Sequence, residues 1–299
     1  MTNTMILKKK RKKIAAFDVF NGVLMVILGL VFLLPFWMLL TASLSDNTLL
    51  TSQGISLWFR GFSFDGYKFI FQVSDLFLRS ILNSVIVSFS YSILSVVLST
   101  GAAYVLAKKD LPFRKILNTY FMIPMFFGGG LIPLYLVIRQ VHIYDTVWAL
   151  ILPSCVRISN VLLLRNYFYG IPSSLYEASE LDGANQFQIL VRIFIPLAVP
   201  MMLTIGMIMF VIRWNDWLDT LMYFGATNRT WWTIQYVLRQ ILVDMQALYG
   251  GSGGGSIVGA PIITAKNAAT VIAVVPLIAL SPIMHKYYMK GMTAGAVKG

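Results

Sequence analysis

The fold is constrained most by one stretch, IPSSLYEASELDGANQFQILVRIFIPLAVP, residues 171–200, which interrupts two apolar runs. Ser174 and Glu177 lie three residues apart and predict a capping box, in which the serine oxygen caps a short helix and the glutamate reaches back. Gly183 predicts the end of that helix, because glycine readily adopts a left-handed cap. Pro196 indicates where the chain re-enters an apolar run. The stretch therefore predicts a short helix, a break and a second helix.

This stretch is too polar to cross a bilayer and too apolar to be a solvated linker. Five of its apolar side chains need a surface to pack against: Leu175, Leu181, Phe187, Ile189 and Leu190. The local pattern fits a capped amphipathic helix on the membrane surface as well as a helix docked on a partner. Both interpretations stay open at this level.

The composition of the whole chain indicates a membrane protein. Of its 299 residues, 58% are hydrophobic and only 12% are charged. Soluble domains carry about 25% charged residues, so this chain has too little charge to cover a water-exposed surface. A soluble enzyme and a disordered chain are both excluded. We predict an all-α polytopic membrane protein.

Six apolar runs are long enough to cross a bilayer, which takes about 20 residues. They are residues 22–40, 80–107, 116–138, 146–164, 193–212 and 267–284. The third contains Pro124, Pro133 and three consecutive glycines, so we expect it to be irregular and to act in hinge motion, in pore lining or only as a kinked, packed helix. The first run is too long for a signal peptide and predicts an uncleaved anchor.

The Lys and Arg residues orient these spans. Fifteen of the 24 lie in segments on one side of the predicted bilayer and seven on the other. Because cytoplasmic segments are enriched in Lys and Arg, both termini are predicted to be cytoplasmic.

The spacing within residues 171–200 resembles the signature loop of ABC importer permeases. That signature is Glu-Ala-Ala, three residues, Gly, nine residues, then Ile, any residue, Leu-Pro. Here the matching positions are Glu177, Ala178, Ser179, Gly183, Ile193, Ile195 and Pro196. Ser179 replaces an alanine and Ile195 replaces a leucine, and the spacing is kept throughout.

Further segments resemble the carbohydrate-uptake branch of that family. They are residues 79–88, 127–135, 132–153, 163–172, 213–216 and 290–299. The likeness is greatest to the maltose-permease inner subunit and to permeases for complex oligosaccharides. It implies six transmembrane helices in the ABC importer permease fold, with a cytoplasmic coupling-helix loop.

The resemblance also implies the domain organisation and location. Residues 1–16 would be a basic cytoplasmic N-terminus, and residues 17–299 the transmembrane permease domain. Within the latter, residues 165–196 would form the coupling loop and residues 214–266 an external loop with a Gly-rich run at 250–256. That run is either a plain linker or a probe of the binding protein. The expected location is a bacterial cell (inner) membrane.

The coupling loop is implied to dock in a groove of a separate ATPase. The residues that match the coupling region are Glu177, Ala178, Ser179, Asp182, Gly183 and Ala184. Glu177 would pair with a basic residue of the ATPase, and Gly183 would allow the turn between the two short helices. The other implied partners are a second homologous permease, a second ATPase copy, an extracytoplasmic solute-binding protein, an oligosaccharide and membrane lipid.

Six side chains are candidates for the substrate path: Arg157, Asn160, Trp214, Asn215, Asp216 and Trp217. Arg157 interrupts the fourth span, where an ionisable group is costly and could meet sugar hydroxyls or a sugar carboxylate. Alternatively it pairs inside the bundle or reaches an interface. Flat aromatic faces bind the apolar faces of sugar rings. Trp214 and Trp217 would share one face of their helix if that helix continued. The alternative is an interfacial aromatic belt with Asp216 paired to Arg213.

No catalytic or cofactor motif is present in the sequence. It lacks a G-x-x-x-x-G-K-[ST] phosphate loop, HExxH and a Ser-His-Asp set, and has one cysteine and two histidines. We therefore expect no enzyme activity, no metal site, no cofactor and no nucleic-acid partner, with ATP and Mg bound by the partner ATPase. Three alternatives remain: an ABC permease for a peptide or polyol, a membrane-embedded glycan-processing enzyme and a secondary transporter.

Overall fold

The computed structural model describes residues 16–73, 75–108, 110–224, 228–250 and 261–296. Within these ranges no β-strand forms, and the predicted all-α class is confirmed. The helices are α1 Ala16–Ser43, α2 Asn47–Gln53, α3 Asp65–Val73, α4 Asp75–Ala107, α5 Arg114–Phe126, α6 Leu131–Gln140, α7 Trp148–Ile151, α8 Ile158–Tyr169, α9 Ser173–Leu181, α10 Gln186–Ile189, α11 Ile195–Trp214, α12 Leu218–Tyr223, α13 Ile234–Gly250 and α14 Ile262–Ala296.

Four of the predicted spans are long apolar helices. They are Phe17–Ser43, Asp75–Ala107, Gln186–Trp214 and Ile262–Pro282, and each extends past at least one end of its predicted apolar run. The predicted third span is a bent pair, because α5 and α6 meet at 112° across a short break. Gly130 in this break has a φ of 84°, which glycine adopts without a steric penalty. The expected irregularity of this span is confirmed.

The predicted fourth span is not one helix. Residues 146–164 contain the four-residue α7, a non-helical break and the start of α8. The break includes Pro153, which cannot donate a helical hydrogen bond, and Ser154, whose φ is 58°. Apolarity alone predicted a continuous span, but the local backbone here departs from a helix. The structure thus has four long apolar helices among its described residues, or five spans if the bent pair counts as one.

The chain divides into two compact units. The described part of the first comprises residues 16–67 and 261–268. In it, five aromatic rings follow one another at centroid distances of 5.0–6.4 Å: Trp37, Phe59, Phe62, Phe64 and Tyr67. Trp58 and Phe62 are 74% and 63% exposed, and aromatic rings of this kind favour the interface between a membrane and water.

The second unit has its core where α4 packs against α8 and α11. Three aromatic rings meet edge to face in this core, with centroids 5.1–6.5 Å apart: Tyr104, Phe168 and Phe194. On α11, Gly206 lies close to α4: a Cβ there would be 3.3 Å from the Val96 side chain. The Gly206 carbonyl also accepts a hydrogen bond from the Ser92 hydroxyl at 2.6 Å. Small residues allow such close helix contact inside a membrane.

A π-helical turn joins α10 to α11. It covers Leu190–Phe194, and the amide of Ile195 donates to the carbonyl of Leu190, five residues earlier. Pro196 follows at once and has no amide hydrogen to donate. The helix Gln186–Trp214 therefore continues from the polar stretch into the apolar span with one wider turn near its start.

Candidate functional site

The helix pair α9 and α10, with the turn at residues 182–185 between them, forms what we call the loop hairpin. The amide of Gly183 donates to Glu180 O at 3.0 Å, and the amide of Ala184 donates to Ser179 O at 3.0 Å. Gly183 has a φ of 77°, a left-handed conformation that favours glycine. The predicted turn at Gly183 is confirmed.

The predicted capping box at Ser174 and Glu177 is wrong. Helix α9 begins at Ser173 with Pro172 at its N-cap position, so Ser174 already lies within the helix, and no side chain caps it. A capping box instead begins α10. There the Asn185 side chain accepts from the Gln188 amide at 2.9 Å, and the Gln188 side chain accepts from the Asn185 amide at 2.9 Å. The Asn-x-x-Gln spacing was a signal for this box in the sequence.

A polar cluster centred on Gln186 holds the loop hairpin to the core. The Gln186 carbonyl oxygen accepts from the Tyr104 hydroxyl at 2.8 Å. Its amide nitrogen donates to Glu180 at 3.0 Å and to the Tyr176 hydroxyl at 3.0 Å. Burial raises the pKa of Tyr176, and its hydrogen bond to Glu180 raises it further. The sequence analysis missed this cluster, because Gln186 lies in α10 and its three partners come from α4 and α9.

The surface of the loop hairpin is apolar at several positions. Leu181 is 89% exposed, Phe187 is 72% exposed and Leu175 is 43% exposed. Ile189, in contrast, is fully buried in the chain's own core, and Leu190 packs against it. Of the five apolar side chains expected to need a surface, two therefore find it within this chain.

The six coupling candidates occupy one short segment of this hairpin. Ser179 is buried, and its hydroxyl donates to Leu175 O at 2.6 Å. Ala184 is half-buried. The exposed members are Glu177, Ala178, Asp182 and Gly183.

At the other end of α11, an ionic cluster surrounds Arg213. Its guanidinium is 4% exposed and donates to Asp216 at 2.9 Å and to Asp219 at 2.7 Å. The guanidinium also lies 4.4 Å from the centroid of the Tyr91 ring. Burial and the neighbouring Asp216 raise the pKa of Asp219, while Arg213 opposes this rise. Asp216 is thus paired with Arg213, as one of the two interpretations of the sequence predicted.

The two tryptophans near this cluster lie in different settings. Trp214 is 1% exposed, donates from its indole nitrogen to Ala273 O at 3.1 Å and stacks on Phe210. Helix α11 ends at Trp214, so the condition for Trp214 and Trp217 to share one helix face is not met. Trp217 is half-buried with the Arg239 guanidinium 4.1 Å from its ring centroid. Asn215 is exposed, and its side chain accepts from Gln235 at 3.4 Å.

Arg157 and Asn160 lie at the break before α8. Arg157 is exposed, whereas Asn160 is 6% exposed and its side-chain nitrogen has no hydrogen-bond partner among the residues of the described ranges. The Tyr91 hydroxyl donates to Ser154 O at 2.8 Å, and the Arg213 guanidinium lies 4.4 Å from the centroid of the Tyr91 ring. Tyr91 therefore connects the break to the Arg213 cluster. A single tyrosine in an apolar run gave no signal of this role in the sequence.

Some predicted features lie outside the described residues. They are the basic cluster at residues 8–13 and most of the Gly-rich run at 250–256, of which only Gly250 is described, as the end of α13. Within the described ranges, no three His, Cys, Asp or Glu side chains are placed to hold a metal ion.

Comparisons with known proteins agree with this architecture. The family described as binding-protein-dependent transport system inner membrane component matches residues 95–294. The polygalacturonan/rhamnogalacturonan transport system permease protein YtcP of Bacillus subtilis is 34% identical over 284 residues, which cover 95% of this chain and 98% of YtcP. Protein LplC of the same organism is 32% identical, with 95% of each chain covered.

Two solved structures share the fold. A chain in the crystal structure of a bacterial ABC transporter involved in the import of the acidic polysaccharide alginate is 26% identical, with a TM-score of 0.80. The match covers 93% of this chain and 98% of that one. A chain of a bacterial alginate transporter in complex with an alginate pentasaccharide-bound periplasmic protein has a TM-score of 0.56 at 17% identity, which supports the fold alone. With the family match over most of its length, this chain belongs to the binding-protein-dependent transport system inner membrane components, the permease subunits of ABC importers.

Proposed function

We propose that this permease subunit takes up oligosaccharides that an extracytoplasmic binding protein delivers, with energy from a separate ATPase. The observation that carries the proposal is the loop hairpin, which has the signature spacing and exposes Leu181 and Phe187 at 89% and 72%. The relatives support the substrate class, since the name of YtcP refers to polygalacturonan and rhamnogalacturonan transport and that of the solved transporter to import of the acidic polysaccharide alginate.

The loop hairpin is the proposed contact with the ATPase. Exposed apolar side chains on a short polar-flanked helix pair favour docking into a groove, because burying each one stabilises a complex by about 1.5–3 kcal/mol. Glu177 is exposed and available to pair with a basic residue of the ATPase. The Gln186 cluster and Tyr104 then connect the docked hairpin to α4.

The six-span topology with both termini in the cytoplasm remains part of the proposal. The four long helices and the bent α5–α6 pair account for five crossings. The sixth would be α7, the break and α8 together, an arrangement that a membrane tolerates where irregular backbone faces protein or a water-filled cavity. The excess of Lys and Arg on one side supports the orientation.

The same break is the proposed part of the substrate path. It exposes Arg157 and leaves the Asn160 amide nitrogen without a partner among the described residues. A guanidinium and a free amide can donate hydrogen bonds to sugar hydroxyls or to a sugar carboxylate. Asn215, Asp216 and Trp217 remain candidates near the end of α11. The burial of Trp214 and its bond to Ala273 favour a packing role for that residue instead.

Transport would follow alternating access. ATP binding would close two ATPase copies, move the loop hairpin and reorient the helices attached to it around the substrate path. A second homologous permease would complete the cavity. Coupling of this kind is reciprocal, so the loaded binding protein should stimulate ATP hydrolysis.

Purification of the tagged full-length chain from its host membrane in a mild detergent tests this function. Mass spectrometry of the co-purifying proteins is expected to find a Walker-type ATPase and a second permease. The associated binding protein can then be screened against neutral and acidic oligosaccharides. A chain that is folded and reproducibly alone would overturn the proposal.

A further inference from the structure

A basic cleft lies beside the C-terminal end of α8, apart from the loop hairpin and from the substrate-path candidates. Its volume is about 950 Å³. The polar residues that line it are Arg114, Lys115, Asn118, Thr119, Arg165 and Tyr169. No function discussed above uses this group of side chains.

The charge of the cleft has one sign. Three cations, Arg114, Lys115 and Arg165, line it, and no carboxylate does. Gathering three like charges in one cleft is unfavourable unless an anion binds among them. The residue types therefore point to an anionic ligand.

The two arginines are held in place by neutral partners, which leaves their charge uncompensated. Arg114 donates to the Tyr169 hydroxyl at 2.7 Å, and Arg165 donates to the Asn118 side-chain oxygen at 2.5 Å. Both guanidinium carbons lie near the Tyr169 ring, at 5.8 and 5.7 Å from its centroid. The Arg165 Nε is buried and has no acceptor within the part of the chain that the structure describes. Each guanidinium has five donors, so most of them remain for a ligand.

Helix α5 adds positive potential at the same place. Its 13 residues begin at Arg114, and no side chain caps its first turn. The amides of a helix N-terminus attract anions, phosphate above all. Arginine forks match phosphate oxygens in geometry and charge.

The edge of the cleft is apolar. Phe113 and Ile116 line it and are 76% and 66% exposed. A free inorganic anion gains nothing from contact with these apolar side chains, whereas the acyl chains of a lipid pack against them. Basic pockets between membrane helices are suited to anionic lipid head groups.

We propose that this cleft binds a phosphate group, supplied by the head group of an anionic phospholipid. The Arg114 and Arg165 guanidinium groups and the Lys115 ammonium bind the phosphate oxygens, and the acyl chains lie against Phe113 and Ile116. Only residues 170–172 separate Tyr169 from α9. The bound lipid therefore stabilises the base of the loop hairpin, where Tyr169 also donates to Leu106 O at 3.3 Å.

The test measures the unfolding midpoint of the full-length chain, with whatever subunits co-purify, in detergent. Phosphatidylglycerol and phosphatidylcholine with the same acyl chains are titrated in parallel, and inorganic phosphate is titrated separately. Phosphatidylglycerol is expected to raise the midpoint more than phosphatidylcholine does. Each charge removed should weaken the apparent affinity for phosphatidylglycerol about fivefold. The Lys115→Gln variant should therefore bind this lipid about fivefold more weakly, and the double variant Arg114→Gln with Arg165→Gln about 25-fold more weakly.

Arg192→Gln is the matched control, because Arg192 is exposed and does not line the cleft. It should leave the lipid affinity unchanged. If the double variant does not fold, Lys115→Gln decides, since its side chain makes none of the hydrogen bonds that hold the arginines.

The remaining outcomes are distinct. If inorganic phosphate raises the midpoint with the same dependence on the variants, and the two lipids act alike, the phosphate site stands and its lipid source is rejected. If the two lipids act alike and inorganic phosphate has no effect, the proposal is overturned. Equal losses of lipid affinity in the Lys115→Gln and Arg192→Gln variants would also overturn the proposal, because such losses would reflect the general surface charge and not this cleft.

Discussion

The two ends of the continuous helix Gln186–Trp214 differ in how far their side chains are buried and paired within this chain. At its C-terminal end, Arg213 is 4% exposed and paired with two carboxylates. At its N-terminal end, Phe187 is 72% exposed, and Leu181 in the adjoining α9 is 89% exposed. The first end is completed by residues of this chain. The second leaves apolar side chains exposed, and we propose that the ATPase covers them.

This difference separates two kinds of mutational effect. Changes in the Arg213 cluster should lower the free energy of unfolding, because they leave buried charge without a partner. Changes on the exposed face of the loop hairpin should alter assembly and uptake while stability is kept, because exposed side chains contribute little to folding. The following variants test that separation, in order of decreasing effect.

Gly183→Trp should abolish oligosaccharide uptake while the amount of protein in the membrane is kept. Apart from Gly183 and its two chain neighbours, no atom of the described residues lies within 4 Å of a Cβ at this position, so there is room for a side chain, but the φ of 77° and the added bulk would disturb a docked turn. Uptake and membrane content are measured in the same cells.

Gly183→Asn is the matched control, because asparagine tolerates left-handed backbone and is small. It should retain most uptake. Normal uptake by Gly183→Trp would exclude the loop hairpin as the coupling element.

Arg213→Met should lower the free energy of unfolding by about 3–5 kcal/mol, because Asp216 and Asp219 lose their shared cation. The change is measured as a fall in unfolding midpoint in detergent. Arg239→Met removes a guanidinium that stacks on Trp217 and should cost only about 0.5–1 kcal/mol. Equal midpoints for the two variants would contradict the contrast between the ends.

Leu181→Ser combined with Phe187→Ser should reduce the amount of co-purified ATPase at least tenfold, since about 1.5 kcal/mol or more of apolar contact is lost per side chain. The unfolding midpoint of the isolated chain should change little. Trp58→Ser, at a side chain 74% exposed in the other compact unit, serves as control and should leave the ATPase bound. A large fall in the midpoint would show that the hairpin surface is part of the core.

Tyr104→Phe should have the smallest effect, a loss of about 0.5–1.5 kcal/mol in unfolding free energy. It removes the 2.8 Å hydrogen bond from the core to Gln186 and should lower uptake moderately. Tyr167→Phe removes an exposed hydrogen bond to Leu197 O and is expected to leave uptake unchanged. Equal uptake in the two variants would show that the Tyr104 hydroxyl does not couple the loop hairpin to the core.

Much of the fold could be predicted because apolar runs and breakers act locally. Four long helices were found from hydropathy, and the bend of the third span from its glycines and prolines. Gly183 was found because a left-handed turn needs glycine there. The break in residues 146–164 was missed, since an apolar composition does not specify backbone conformation.

The candidate site was less predictable because its contacts join distant parts of the chain. Gln186 meets Tyr104 across 82 residues, and Tyr91 meets Ser154 across 63. The capping box predicted at Ser174 is absent because α9 already begins at Ser173, whereas the box at Asn185, which begins α10, was not predicted although its spacing is suitable. Whether Trp214 faces a cavity or the core likewise depends on α14, which supplies the acceptor at Ala273.

The π-helical turn at Leu190–Phe194 fixes the angular phase between the loop hairpin and the span that follows it. A π-turn contains one residue more than an α-turn, and each residue of an α-helix advances by about 100° around its axis. Loss of one residue in this turn would therefore leave an α-turn that still completes one full turn, and the hairpin would keep its direction relative to α11. A single-residue deletion in a regular part of the same helix would instead rotate the hairpin by about 100°, so the π-helical turn is the place where a change of length does not re-aim it.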